Sequence, residues 1–200
     1  MSKPSPTARE RIVAGAADMI SRRGLNATSI RDTAKHARAP LGSTYHYFPD
    51  GKQQLATEAV RYTGAWVARG LRKELDAGGP VAGLRAFLDL WRKIVVDTDF
   101  RAGCPVLAVS IEEPPADETP AALLAAAEVF EEWEGLLAGS LRAHGADPGQ
   151  AAQVATLVVA AVEGTVAMCR AKRSIEPLDR TAEQLRALIL TTIKDPAVSR

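Results

Sequence analysis

The chain has 200 residues, of which 46% are hydrophobic and 24% are charged. This composition excludes a mainly disordered chain, because there is ample apolar surface to bury in a core. Alanine, the strongest helix former, accounts for 36 of the residues, so we expect an all-α fold.

Cysteine usage and hydropathy indicate the cell compartment. Cys104 and Cys169 lie far apart and outside any metal-binding spacing, which favours a reducing cytoplasm over a disulfide scaffold or a zinc finger. The N-terminal sequence lacks the apolar segment of a secretory signal. Because Glu163 interrupts the most apolar stretch, 156–168, no run reaches the length of about 18 apolar residues that a membrane span needs. We therefore predict a cytoplasmic protein without a membrane span.

Charge is distributed unevenly along the chain. Residues 1–48 contain eight Lys and Arg against three Asp and Glu, whereas the remaining 152 residues contain seventeen against twenty-one. A basic N-terminal part on an acidic remainder suggests a polyanionic partner for the basic part. An ordinary solvated face of mixed charge explains the same numbers equally well.

The spacing of apolar residues predicts helices in chain order and no series of strands. Gly24 has the place of a C-cap, Thr28 and Ser29 are N-cap residues, Pro40 suits the first position of a helix, and 78–80 (Gly-Gly-Pro) forms a linker. We expect helices over about 7–23, 28–37, 41–47, 52–77, 81–96, 121–144, 150–172 and 179–194, with a short apolar run at 104–111. The predicted total is nine to ten helices.

Residues 29–48 carry the pattern of a helix-turn-helix, two short helices separated by a tight turn. In this motif the first helix braces across the DNA backbone and the second inserts into the major groove. Ala34 is small where the two helices must cross, and Tyr45 and Phe48 suit the inner face of the second helix.

The string Thr-Tyr-His-Tyr-Phe-Pro at 44–49, followed by Gly-Lys-Gln-Gln-Leu at 51–55, resembles the signature of the TetR family of transcriptional regulators. The preceding residues from Ala8 resemble the same domain in order and spacing, so that the resemblance covers about 7–55. The sequence around Gly-Cys-Pro-Val at 103–106 and the Pro-Asp-Gly-Lys loop at 49–52 resemble the branch related to the lincomycin-resistance repressor.

Two positions depart from the family pattern. The family usually has Gly in the turn where this sequence has Arg38, and a left-handed backbone there would cost a side chain about 1 kcal/mol or more. Either the turn is slightly altered or Arg38 reaches a phosphate. Thr44 stands where the family prefers a large apolar residue, so we expect the recognition helix to pack less tightly.

The resemblance implies which residues contact DNA. Thr28 and Ser29 would cap the bracing helix and bind a phosphate, and Lys52 would reach a phosphate at the start of the next helix. The full set of implied DNA-binding residues is Thr28, Ser29, Arg38, Pro40, Leu41, Ser43, Thr44, Tyr45, His46 and Lys52. Residues 1–52 would form the DNA-binding domain.

The resemblance also implies that 53–200 form a helical ligand-binding and dimerisation domain. Helices 121–144 and 150–172 would pair with those of a second copy, giving a homodimer. Aromatic, Met and other apolar side chains line many small-molecule pockets. Each of them can equally be ordinary core, and Cys104 suits a small buried hydrophobe better than a reactive thiol. The implied ligand-binding residues are Trp66, Phe87, Trp91, Cys104, Leu107, Phe130, Trp133 and Met168.

An enzyme is the first rival to a regulator. His36, His46 and His144 do not lie at metal-ligand spacing, and the sequence lacks the serine-hydrolase, phosphate-binding and dinucleotide-binding motifs. We therefore predict no catalytic site, metal or cofactor. The predicted function is a repressor that leaves a palindromic double-stranded operator when a small apolar or aromatic inducer binds. An activator of the same fold stays open as the alternative.

Overall fold

The computed structural model describes residues 6–113 and 120–193. Within these ranges the chain forms eight helices and no β-strand. They are α1 (Ala8–Arg23), α2 (Ile30–His36), α3 (Leu41–Tyr47), α4 (Gly51–Asp97), α5 (Pro105–Ser110), α6 (Ala121–Ala143), α7 (Pro148–Lys172) and α8 (Glu176–Thr192). The all-α prediction is confirmed.

Over the described residues the structure has eight helices rather than the predicted nine to ten. The Gly-Gly-Pro segment at 78–80 is a break as predicted, but it joins two helical segments through a kink instead of a loop. It lies inside α4, where Gly78 (φ −145°, ψ 15°) and Gly79 (φ 69°, ψ −166°) leave the helical region and the helix then resumes. Gly79 adopts the positive φ at no steric cost, so the chain kinks without forming a loop.

The chain divides into two compact units. The first unit combines 1–64 with 104–129, and the second combines 65–103 with 130–200. The first therefore holds α1, α2, α3 and α5 together with parts of α4 and α6. This division follows packing, because α5 lies against α1, whereas a boundary at residue 52 follows chain order alone.

Each unit has its own apolar core. In the first, Ile12, Met19, Ile20 and Phe48 are essentially inaccessible to solvent, and α1 begins with a capping box in which Thr7 and Glu10 bond each other's backbone amides. The core of the second unit is built on bulky side chains from four helices, namely Leu84, Phe87, Trp91, Trp133, Leu137, Val158, Leu178 and Ile189.

One helix of the described residues, α7, is long and apolar enough by length and composition to cross a membrane. Half of its most apolar 18-residue window is buried inside the protein. A core helix of a soluble protein passes the same test of length and composition, and the buried half of α7 is of that kind. The other half of this window is wholly or partly accessible to solvent.

Candidate nucleic-acid interface

The bracing helix α2 starts at a well-formed cap. Ser29 is the N-cap, its hydroxyl oxygen accepts a hydrogen bond from the Asp32 amide at 3.0 Å, and it donates one to the Asp32 carboxylate at 2.7 Å. Thr28 is buried instead, and its hydroxyl donates to the Gly24 carbonyl at 2.7 Å. Of the two predicted caps, only Ser29 therefore has the role, and the Thr28 hydroxyl is engaged inside the protein.

The turn between α2 and α3 is a Schellman motif. The Ala39 amide donates to the Ala34 carbonyl at 2.9 Å and the Arg38 amide donates to the Lys35 carbonyl at 3.2 Å, which is the pattern of a helix closed by a left-handed residue. Arg38 is that residue, with φ 51°. The turn thus keeps the left-handed backbone that Gly would adopt without strain. Arg38 adopts it with the steric strain of a side chain, and that side chain is exposed.

The recognition helix α3 has one buried side. Phe48 is fully buried at its C-cap. Thr44 is also fully buried, and its hydroxyl donates to the Pro40 carbonyl at 3.1 Å. This arrangement is at odds with Thr44 as a DNA contact, because the side chain faces the core and its donor is already used. A hydroxyl fits there without an unsatisfied donor since the helix backbone itself accepts the bond.

The opposite side of α3 is open to solvent. We call it the α3 surface: Pro40, Gly42, Tyr45 and His46 are exposed and Leu41 and Ser43 are half-buried. Tyr45 is 54% exposed, so the expectation that it packs on the inner face is wrong. Gly42, which the sequence reasoning missed, would meet no atom within 4 Å if it carried a Cβ. Its only signal in the sequence is a glycine inside a short helix, where it weakens the helix without packing benefit.

A tight turn connects α3 to α4. The Gly51 amide donates to the Phe48 carbonyl at 3.0 Å, and Gly51 has φ 72°, so glycine is required by the backbone here. Lys52 follows at the start of α4, and its ammonium donates to the Asn26 carbonyl at 3.1 Å. That bond uses one of three donors and leaves two for a phosphate.

Unpaired cations flank the α3 surface. Among the described residues, Arg31, Lys35 and Arg38 are exposed and form no ion pair. Arg9, by contrast, forms an ion pair with Glu58 at 2.6 Å and lies over the Phe48 ring. The helix-turn-helix therefore presents free positive charge beside a recognition helix whose outer side is polar and open.

Glu112 is a second residue that sequence reasoning missed. Its carboxylate accepts hydrogen bonds from the Leu25 amide at 2.6 Å and the Asn26 amide at 2.7 Å. It thereby ties the loop between α1 and α2 to the segment that follows α5, all within the first unit. No local pattern could have revealed this contact, since its partners are about 87 residues apart in sequence.

The predicted ligand-binding residues do not all lie together. Phe87, Trp91, Phe130 and Trp133 form an edge-to-face aromatic cluster in the second unit, with Phe87 and Trp133 at 5.7 Å and Trp91 and Trp133 at 6.3 Å between ring centroids. Cys104 and Leu107 belong to the first unit.

Trp66 and Met168 stay outside this cluster. They are 45% and 48% exposed, because each lies on the solvent side of its helix. Over the described residues, no group of three or more His, Cys, Asp or Glu side chains could hold a metal ion.

From Ala152 to Met168 the exposed residues of α7 carry no charge. Its accessible residues between Ala152 and Ala171 recur every three or four positions, and α7 lies wholly in the described part of the chain. We call the central ones the α7 stripe: Thr156, Leu157, Ala160, Gly164, Ala167 and Met168. The exposed side of α6 differs, since it carries Glu128, Glu131 and Glu132.

Two family descriptions match the chain. Residues 12–59 match the family described as bacterial regulatory proteins, tetR family. Residues 80–184 match the family described as transcriptional regulator LmrA/YxaF-like, C-terminal domain.

Relatives match along nearly the whole length. The HTH-type transcriptional regulator Rv0196 of Mycobacterium tuberculosis is 40% identical over 190 residues, covering 94% of this chain and 96% of its own. YxaF of Bacillus subtilis is 31% identical and covers 90% and 94%. LmrA of the same organism is 29% identical and covers 85% and 90%.

Solved structures show the same fold. A TetR transcriptional regulator from Legionella pneumophila superposes with a TM-score of 0.79 at 23% identity, covering 96% of this chain and all of that one. The reduced form of Escherichia coli NemR gives 0.72 at 22% identity, covering 96% and 100%. Taken with the family matches on both parts of the sequence, the chain belongs to the TetR family of helix-turn-helix, DNA-binding transcriptional regulators, a family of non-enzymatic proteins, and carries an LmrA/YxaF-like C-terminal domain.

Proposed function

We propose that this protein is a cytoplasmic, homodimeric repressor that binds a palindromic operator and is released by a small, largely apolar inducer. The observation that carries the proposal is the α3 surface, which leaves Gly42, Tyr45 and His46 open to solvent while Thr44 and Phe48 hold the opposite side in the core. A helix exposed in this way fits into a major groove.

Within 1–52, the proposed DNA-binding domain, the contacts divide by chemistry. Arg38 and Lys52 would bind phosphates, which sets orientation and most of the affinity. Ser29 would join them by turning its hydroxyl proton from the Asp32 carboxylate, to which it donates at 2.7 Å, to a phosphate. Base edges would meet the α3 surface, where Leu41 can contact a thymine methyl but cannot donate to guanine. The proposed groove contacts are Pro40, Leu41, Gly42, Ser43, Tyr45 and His46. Thr28 and Thr44 are left out, because both side chains are buried.

Dimerisation is proposed through the α7 stripe, within the region 53–200. A two-fold axis makes such an interface self-complementary, so an uncharged face with small residues pairs without burying charge. Gly164 supports close approach, since a Cβ at this position would meet nothing within 4 Å. The exposed side of α6 carries charged side chains, with Glu128 and Glu132 in ion pairs with Arg61 and Arg72, so we restrict the proposed interface to the α7 stripe. Two recognition helices would then lie about one DNA turn, roughly 34 Å, apart.

The aromatic cluster is the proposed inducer site. Trp91 is fully buried, and its indole N–H has no acceptor within the described residues. A buried donor without a partner costs free energy that an acceptor on a ligand would recover. The cluster therefore suits a planar apolar compound bearing a carbonyl or hydroxyl oxygen. The inducer would favour a conformation that does not fit the operator. A coupling free energy of about 1–3 kcal/mol between inducer binding and operator binding would relieve repression.

The first experiment is fluorescence anisotropy with DNA from upstream of the protein's own gene, at two salt concentrations and with scrambled competitor. Saturable binding that survives the competitor is expected. Binding that disappears at the higher salt concentration and equals binding to the scrambled DNA would mean that the helix-turn-helix contacts only phosphates. That result would overturn the operator proposal. A reporter gene behind the same DNA separates repression from activation.

The inducer site is tested on the same complex by screening planar aromatic compounds for loss of anisotropy. With an active compound in hand, Trp91→Phe removes the N–H and keeps an aromatic ring. One lost hydrogen bond of about 1 kcal/mol should raise the half-effective concentration about fivefold. Trp66→Phe, at an exposed position outside the cluster, is the matched control and should change nothing. An equal response of both variants would reject the cluster as the site.

A further inference from the structure

The second unit contains a cavity of about 460 Å³ that the proposed function does not use. It lies between the part of α4 after its kink and the middle of α8, with Ala182 and Arg186 on the α8 side. Its volume falls in the range of about 300–1,000 Å³ that is typical of small-molecule sites. None of the eight predicted ligand-binding residues lines it, so it is separate from the aromatic cluster.

The geometry of the two helices shapes this α4–α8 cavity. Arg92 forms an ion pair with Asp179, which ties α4 to the beginning of α8 at one end. The kink at Gly78 and Gly79 redirects α4 at the other end, and Gly78 lines the cavity. From Val81 to Arg92 the helical wall is about 16 Å long, so the cavity is elongated and suits a ligand with an extended apolar body.

The lining combines an apolar wall with arginines. Val81, Leu84 and Leu88 supply apolar surface, and Arg85 and Arg186 supply two exposed guanidinium groups. Within the described ranges neither Arg85 nor Arg186 forms an ion pair. A guanidinium group binds a carboxylate through two parallel hydrogen bonds, which makes it the side chain best matched to such a group.

The charge balance sets the charge of the ligand. Three arginines line the cavity together with one acid, Asp89, and Asp179 neutralises Arg92. One positive charge remains after both aspartates are counted. This single positive charge matches a ligand with one negative charge. The second negative charge of a dianion would be uncompensated and close to Asp89.

From this arrangement we infer that the α4–α8 cavity binds an amphipathic monocarboxylate. Its apolar body lies along Val81, Leu84 and Leu88, and its carboxylate meets Arg85 and Arg186. This ligand site is additional to the proposed inducer site, and it does not depend on that proposal.

The test is isothermal titration calorimetry of the full chain with decanoate, and with 1-decanol as the uncharged probe. Saturable binding of one decanoate per chain and weaker binding of decanol are expected. Arg85→Met combined with Arg186→Met should weaken decanoate binding about tenfold or more, because two charge-assisted hydrogen bonds are lost and the apolar stems are kept. Arg69→Met, an exposed α4 arginine outside the cavity, should bind decanoate as the unmodified protein does.

A second variant guards against loss of fold in the first. Ala182→Leu fills the cavity from the α8 side without changing charge, and it should also weaken decanoate binding while thermal unfolding stays cooperative. No binding, equal binding of decanoate and decanol, or binding unchanged in both variants would overturn the inference. Sedimentation velocity of the Ala182→Leu variant gives a further test. If this variant no longer dimerises, a second copy of the chain covers this surface, and the inference is overturned.

Discussion

The α3 surface and the α7 stripe are both open to solvent in a single chain, yet their chemistry is opposite. The α3 surface carries Tyr45 and His46 beside free cations, whereas the α7 stripe carries Leu157, Met168 and small residues without any charge. Water can solvate the first at little cost, but the second leaves apolar area exposed. The difference supports a different proposed partner for each surface, a polyanion for the α3 surface and a second copy of the chain for the α7 stripe.

The largest effect is expected from a charge placed in the α7 stripe. Leu157→Glu would appear twice in a two-fold interface, and an unpaired charge buried there costs about 3–5 kcal/mol. The dimer should dissociate and operator affinity should fall by about a hundredfold or more. Sedimentation velocity and anisotropy measure the two effects.

Leu124→Glu is the matched control, because Leu124 of α6 is 54% exposed and Leu157 is 50% exposed. It should leave the dimer intact. A dimer sensitive to Leu124→Glu and indifferent to Leu157→Glu would move the interface from α7 to α6.

The second largest effect is expected from a side chain added to the α3 surface. Gly42→Leu introduces a side chain into open space, so the protein should be more stable by up to about 1 kcal/mol from helix propensity. Operator affinity should nevertheless fall by tenfold to a hundredfold, roughly the worth of one base contact. Thermal unfolding and anisotropy should therefore change in opposite directions.

Gly135→Leu on α6 is its control, since a Cβ there also meets nothing within 4 Å. It should leave operator affinity unchanged. Retained affinity in Gly42→Leu would exclude close contact between the α3 surface and DNA.

A third, smaller effect concerns how the helix-turn-helix is held. Glu112→Ala removes the acceptor of the Leu25 and Asn26 amides. Hydrogen bonds to a charged group contribute about 1.5–3 kcal/mol, so the free energy of unfolding should fall by about that much. Denaturant titration measures the change, and Glu113→Ala at the exposed neighbour should show none of it. Equal losses in both variants would mean that Glu112 has no special role.

The smallest effect is expected at the left-handed residue of the turn. Arg38→Gly should stabilise the fold by about 1 kcal/mol, because glycine adopts φ near 51° without strain. Removing one cation beside DNA should also lower the slope of log affinity against log salt by about 1. Arg38→Ala separates the two, since it should change the salt slope in the same way without gaining stability. A stability gain in both variants would place the cause outside the backbone strain.

Local sequence patterns predicted most of the helices. The features that they did not predict depend on contacts between residues far apart in sequence. The bounds of α3 follow from Pro40 and the Pro-Asp-Gly turn, which act within a few residues. The Gly-Gly-Pro segment predicts a break, and the structure has one at Gly78 and Gly79, but the two helical segments of α4 meet there in a kink without an intervening loop. The grouping of α5 with α1 depends on contacts between distant segments.

The site shows the same limit at the level of single side chains. Thr44 and Tyr45 are neighbours on a short helix, and their sequence allows either to face the core. The Pro40 carbonyl accepts the Thr44 hydroxyl and so makes burial of the smaller polar residue inexpensive, which leaves Tyr45 outside. The sequence predicted a set of aromatic residues for a ligand site, but not which of them lie together. Burial separates the four members of the aromatic cluster from Trp66, which is exposed.

Because the two exposed faces lie on different helices, damage to each should have a different genetic character. A protein altered at Gly42 keeps its α7 stripe and can still pair with an unaltered chain, so the mixed dimer would carry one defective head. Such an allele should be dominant over the wild type when both are expressed. An allele with Leu157→Glu produces a chain whose pairing is weakened, so it enters few mixed dimers and should be recessive.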